Sequence, residues 1–197
     1  MKKAVFIVLE GIDGAGKTTL AQRLVPLLRN AAVTAEPTAG PVGTALREGT
    51  FGNIPAVAEA LLFAADRAVH TEEVKKLLGM GCSVICDRYF ASTVAYQSAA
   101  GAADEAWLEE IQVHSVIEPD ITFLLDLDPA AALSRVDARH EEKSRFEELD
   151  YLGRVRAAYL KLAKKHGYCV LDAEKTPEEV YAAAVRALKE RGLYASE

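Results

Sequence analysis

Apolar residues along the chain fall into short unbroken runs, separated by longer stretches where they recur every three or four positions. AVFIVL (4–9) lacks polar alternation, as a strand covered on both faces does, and SVICD (83–87), DITFLLDLD (120–128) and YCVLDA (168–173) read as further strands. Ala32 to Ala35 reads as a further short strand. Between the runs, residues 17–29 put Leu20, Leu24, Leu27 and Leu28 on one helical face, with Pro26 placed to kink or shorten that helix. Residues 55–78 carry Leu61, Leu62, Ala65, Val69, Val74, Leu77 and Leu78 at helical spacing, in one long helix or two. Trp107 to Ile117, Phe146 to Lys165 and Pro177 to Arg191 are the remaining helical stretches. Strands alternating with helices predict an α/β fold, a parallel five-stranded sheet flanked by helices. Neither an internal repeat nor a Gly/Ser linker interrupts it, so residues 1–197 are expected to form a single domain.

Half of the 197 residues are hydrophobic and 26% are charged, which suits a packed core and excludes disorder. The net charge of −6 gives no basic surface for nucleic acid, so a phosphate site here must be a local basic cluster. The three cysteines make no disulfide framework, and Cys82 and Cys86, flanking a strand-like run, read as core-edge residues. MKKAVFIVLE starts like a signal peptide, but Glu10 ends its apolar run and no small-residue cleavage site follows. No run is long enough to cross a membrane. A cytoplasmic protein without a membrane partner is expected.

Directly after the first apolar run, Gly11-Ile12-Asp13-Gly14-Ala15-Gly16-Lys17-Thr18 fits G-x-x-x-x-G-K-[ST], in the strand-to-helix context that the motif requires. Its glycines let backbone N–H groups turn inward on phosphate oxygens, and the new helix points its positive end at the anion. Lys17 is placed for the β and γ phosphates of a nucleotide, Thr18 for Mg²⁺, and Thr19 follows in the same turn. This predicts a P-loop NTPase fold. A small GTPase would also need Asn-Lys-x-Asp, which the chain lacks.

The acceptor is named by a second motif. Asp87 to Gln97 reads DRYFASTVAYQ, at the end of the third long run, and closely resembles the thymidylate kinase signature D-R-Y-x-x-S-x-x-A-Y-Q. Glu36-Pro37 followed by Arg47, LLFAADRAVH (61–70), FEELDYLGRVRAAYLKLA (146–163) and LDAEKTPEEV (171–180) extend the resemblance over nearly the whole chain. The loop after Glu36-Pro37 departs from the family's Gly-Gly-Thr and reads Thr38-Ala39-Gly40-Pro41. The resemblance implies an enzyme that transfers the γ-phosphoryl of ATP to dTMP, with Mg²⁺, as a homodimer. It places Arg88 and Arg47 on the acceptor monophosphate, Phe63 against thymine, and Arg67 and Gln97 on the base edge. Tyr96 would lie against the sugar, Asp13 near its 3′-hydroxyl, and Glu36, Pro37 and Ser92 within the dTMP site. Asp87 ends an apolar strand and reads as a Mg²⁺ carboxylate beside Thr18; Asp126 and Asp128, closing the fourth run, compete for that reading.

Phosphoryl transfer needs cations around the migrating group. The variable P-loop positions are Gly14 and Ala15, without an arginine, so the charge is expected from residues 134–150, a polar segment carrying Arg135, Arg139, Lys143 and Arg145. Its bland reading is a solvated helix face; its functional reading is a lid. The resemblance puts Arg135 near adenine and the donor phosphates, and Arg139 or Arg145 at the transfer itself, with Arg139 preferred. Two rivals remain: a deoxynucleoside kinase or broader dTMP/dUMP kinase of the same fold, and a non-catalytic nucleotide-binding regulator. The Arg of DRY favours a monophosphate acceptor, and the intact P-loop favours turnover.

Overall fold

A computed structural model describes residues 4–28, 30–136 and 142–194. Five parallel strands form one sheet in the order β2-β3-β1-β4-β5: β1 (Phe6–Glu10), β2 (Ala31–Ala35), β3 (Ser83–Asp87), β4 (Ile121–Asp126) and β5 (Cys169–Asp172). β1 is central, with Leu9 opposite Asp87 on one side and Phe123 on the other. Every residue of β1 is buried, as its unbroken apolar run demands. Phe6 and Val8 pack with Val84, Cys86 and Val74 on one face of the sheet, and Ile7 and Leu9 join the larger cluster on the other.

The helices are α1 (Lys17–Leu24), α2 (Pro41–Glu48), α3 (Ala56–Gly79), α4 (Phe90–Ala99), α5 (Glu105–Glu110), α6 (Pro129–Val136), α7 (Glu142–His166) and α8 (Pro177–Glu190). The predicted 17–29 helix stops at Leu24 and tightens into a 3₁₀ turn at Val25–Leu27, where Pro26 can offer no N–H. The 55–78 segment is one helix, 24 residues long. The predicted 107–117 helix is shorter and begins earlier: Asp104 caps it by accepting from the Trp107 N–H, and it ends at Glu110. Three helices were not read from the apolar pattern: α2, α4 and α6. α2 hid between Pro41 and Gly49, which are its first residue and its left-handed cap rather than loop punctuation.

In a parallel sheet, ligands lie beyond the carboxyl ends of the strands, where the strand order reverses. Here those ends bring together Glu10 of β1, Glu36 just past β2, Asp87 of β3 and Asp126 of β4. The Arg88 N–H donates to Leu9 O at 2.8 Å and the Glu36 N–H to Asp87 O at 3.0 Å, so the loops leave the sheet in fixed register. Among the described residues, no helix is long and apolar enough to cross a membrane.

Candidate active site

The loop from Gly11 to Gly16 turns at the end of β1 and feeds α1. A Cβ on Gly11, at φ 141°, would lie 2.5 Å from Leu125 O, so only glycine lets this loop pass over β4. Gly11 and Ile12 face Leu124 and Leu125 across a small space, and Ile12 is buried. Residues 14 and 16–19 line a cleft of about 540 Å³ with Asp13, Asp87, Arg47 and Arg135. Ala15, Gly16, Thr19 and Arg135 line a further cleft against Ala173 and Pro177. Arg135 donates to Gly14 O (3.3 Å) and Ala173 O (3.1 Å), joining the loop to the segment after β5.

Lys17 is buried and donates to Ile12 O at 3.0 Å. Burial, then the nearby Arg88 charge, push its pKa down to about 8 against the opposing pull of Asp87, Asp13 and Glu10. A polyphosphate beside it would favour the charged form. Raising the pH through about 8 therefore discharges the free protein before the complex, and ATP binding is expected to weaken by up to about tenfold per unit above that point. Titrating ATP calorimetrically between pH 7 and 9.5 checks this; flat affinity across that range would contradict it.

Thr18 Oγ1 donates to Asp87 Oδ2 at 2.7 Å. A hydroxyl and a carboxylate side by side are oxygen donors of the kind a hard divalent cation takes. Asp126 and Asp128, the competing carboxylates, are occupied otherwise. Arg156 of α7 grips Asp126 through Nε (2.7 Å) and Nη2 (2.9 Å) and reaches Asp128 at 3.4 Å. They anchor α7 to β4.

A second cleft, of about 290 Å³, opens beside the first and is lined by Asp13, Glu36, Pro37, Phe63, Arg67, Arg88, Ser92, Tyr96 and Gln97. Of the acceptor residues expected from sequence, only Arg47 lies outside it, in the adjoining cleft that Asp13, Glu36, Pro37 and Arg88 also line. Arg47 donates to the carbonyls of Pro37 and Thr38, so here it braces its own loop. Arg88 sits at φ 71°, a left-handed conformation unusual for a side chain of its size. Its Nη2 donates to Asp13 Oδ1 at 2.7 Å and to Tyr96 Oη at 3.3 Å, and its Nη1 to Ser92 Oγ at 3.2 Å. Desolvation works to raise the Asp13 carboxyl, but Arg88 and then Lys17 hold it below the usual range.

Arg67 is fully buried and held on three sides: Nε donates to Glu36 Oε2 (2.7 Å), Nη2 to Thr93 Oγ1 (2.9 Å), and Nη1 to Gln112 Oε1. Glu36 also accepts from His70 Nδ1 at 2.8 Å, whose other ring nitrogen meets Thr34 Oγ1 at 2.7 Å. Each Glu36 oxygen thus has a partner, and one of them aims Arg67. Arg139 lies outside the described residues, and so does the side chain of Arg145.

Sequence reading missed Glu10, although a carboxylate closing a fully buried strand is a signal. Its oxygens accept from Tyr89 N (2.9 Å), Ser92 Oγ (2.6 Å) and Tyr159 Oη (3.1 Å). Burial raises its pKa against those bonds and the Arg88 charge. It also missed Tyr151 and Glu59, which line the acceptor cleft.

Comparison with known proteins decides the family. The sequence model described as Thymidylate kinase matches residues 9–184. A probable thymidylate kinase of Pyrobaculum calidifontis is 42% identical over 193 residues, 96% of this chain and 97% of that one. The chain belongs to the thymidylate kinase family. A probable thymidylate kinase of Methanocaldococcus jannaschii is 42% identical over 188 residues, covering 94% of this chain and 96% of the relative. The thymidylate kinase of Xanthomonas campestris pv. campestris is 41% identical over 196 residues, covering 95% and 86%. As a thymidylate kinase family member the chain is an enzyme, a phosphotransferase of nucleotide biosynthesis. Its two adjoining clefts, sharing Arg88 and Asp13, suit a reaction between two nucleotides.

Proposed function

We propose that the chain transfers the γ-phosphoryl group of ATP to dTMP, giving ADP and dTDP on the way to dTTP. The observation that carries this reading is the position of Arg88, lining both the P-loop cleft and the adjoining second cleft. A guanidinium there can hold the acceptor phosphate in line with the donor's γ phosphate. The acceptor oxygen belongs to a phosphate that is largely ionised at neutral pH, so attack on phosphorus needs no general base. The work left to the protein is positioning, charge stabilisation and exclusion of water.

Lys17 takes the β and γ phosphates, and Thr18 with Asp87 holds Mg²⁺. When bound, that ion neutralises charge building on the phosphate oxygens. Arg47 leaves its loop carbonyls to join Arg88 on the acceptor phosphate. Phe63 packs against thymine, Arg67 and Gln97 meet its edge, Tyr96 walls off the 2′ position, and Asp13 faces the 3′-hydroxyl. Residues 134–150 act as a lid of one 1–197 domain, with Arg139 or Arg145 closing on the migrating phosphoryl and Arg135 on the donor side. The test is ATP-dependent phosphorylation of dTMP, dUMP, UMP, dCMP, AMP and thymidine with Mg²⁺. Clear preference for dTMP supports the assignment; preference for thymidine or a purine overturns it while leaving the ATP site standing.

The enzyme works in the cytoplasm as a homodimer. Val57, Leu61 and Ala65, four residues apart on α3, and Val69 one turn on, are all exposed. Val69 is 64% exposed, an apolar stripe suited to a second copy. Leu61→Glu is expected to convert a dimer to a monomer in sedimentation at micromolar concentration; a wild-type monomer would refute the reading.

A further inference from the structure

Gln97 of α4 and Glu59 of α3 meet at the wall of the acceptor cleft, where Gln97 Nε2 donates to Glu59 Oε2 at 2.7 Å. A primary amide carries an acceptor and a donor of nearly equal size, and half a turn about its last bond exchanges them. A carboxylate can only accept. The Gln97 atom beside Glu59 is therefore the nitrogen, and turning the amide over would press two bare oxygens together. Gln97 is 6% exposed, so water offers little compensation for such a turn.

We infer that Glu59 is a positioning residue that locks the Gln97 amide in one orientation, so that the cleft reads an imide base and rejects cytosine. This rests on the cleft being the dTMP site proposed above. With one Nε2 hydrogen on Glu59, Oε1 and the second Nε2 hydrogen remain for a base. That acceptor–donor pair matches N3–H and O4 of thymine or uracil. Cytosine presents the opposite pair, a bare N3 and an amino group, and meets like with like at both points. An amide free to turn over would read either base equally well. Discrimination at Gln97 then comes from Glu59, through the cost of leaving polar groups mismatched at the base edge.

The test compares wild type, Glu59→Gln and Glu59→Ala, each checked for folding by thermal unfolding. Rates and calorimetric affinities are measured with dTMP, dUMP and dCMP. A glutamine at 59 can donate as well as accept, so it tolerates either orientation of Gln97. The dTMP-to-dCMP preference is expected to fall by about tenfold or more in Glu59→Gln. The dTMP-to-dUMP preference should not move, because both bases present the same edge. Affinities remain readable in a variant that has lost turnover. An unchanged dTMP-to-dCMP ratio, or equal losses for all three ligands, overturns the inference. A wild type that ignores dTMP overturns instead the assignment of the cleft, and the inference with it.

Discussion

Replacing Arg88 with alanine is expected to cut kcat/KM for dTMP by about a thousandfold, or about 4 kcal/mol, while ATP affinity changes by less than about threefold. Arg88 lines both clefts, and its side chain is only 17% exposed. Truncating it removes a two-pronged, poorly solvated phosphate contact and takes one hydrogen-bond partner each from Asp13, Tyr96 and Ser92. Lysine at this position would restore charge but not the fork, so Arg88→Lys should recover only part of the loss. Steady-state kinetics with each nucleotide varied in turn measures all three. Equal damage to ATP and dTMP parameters would place Arg88 in general support of the P-loop rather than on the acceptor.

The second large effect is expected from Gly43→Ala, on α2. A Cβ there would lie 2.2 Å from Thr38 O, 2.4 Å from Thr38 N and 2.8 Å from Asp66 Oδ1. The loop cannot retreat, because Asp66 of α3 already holds it: the Thr38 N–H and Oγ1 each donate to that carboxylate at 2.7 Å. Backbone atoms cannot rotate out of the way as a side-chain end can. One methyl group should therefore tear Thr38 from Asp66 and release the Pro37–Thr38 carbonyls that Arg47 grips. The expected outcome is a loss of about 2–4 kcal/mol of stability in denaturant unfolding, with KM for dTMP raised more than KM for ATP. Full stability with unaltered dTMP kinetics would show that the loop yields.

Contiguous chemistry was legible in the sequence, and chemistry assembled by folding was not. The P-loop and DRYFASTVAYQ are single stretches whose spacing states their job, and the apolar runs gave the parallel sheet. Glu59 sits one helical turn before Phe63 and looks like any solvated glutamate; only the packing of α3 on α4 puts it against Gln97. Glu10 looks like the end of a strand until Ser92, Tyr89 and Tyr159 converge on it from 79 to 149 residues away. Glu36 reads as a ligand contact from the motif, and only folding shows that it also joins Arg67 to His70. Asp126 and Asp87 are alike as strand-ending carboxylates, and what separates them is that Arg156 reaches one and Thr18 the other. α2 was hidden because proline and glycine mark helix ends as well as turns.

The strand order carries a consequence for how the protein is made. β1, the strand that ends in the phosphate loop, is synthesised first, yet its two neighbours in the sheet are β3, from Ser83, and β4, from Ile121. Until Ser83–Asp87 has left the ribosome β1 has no partner for one edge, and until Ile121–Asp126 has, none for the other. The turn that hangs Arg88 from Leu9 O waits for β3, and the loop over Leu125 waits for β4. Nucleotide binding is thus a late event in biogenesis, and a chain interrupted before about residue 126 exposes a sticky central strand rather than a smaller working kinase.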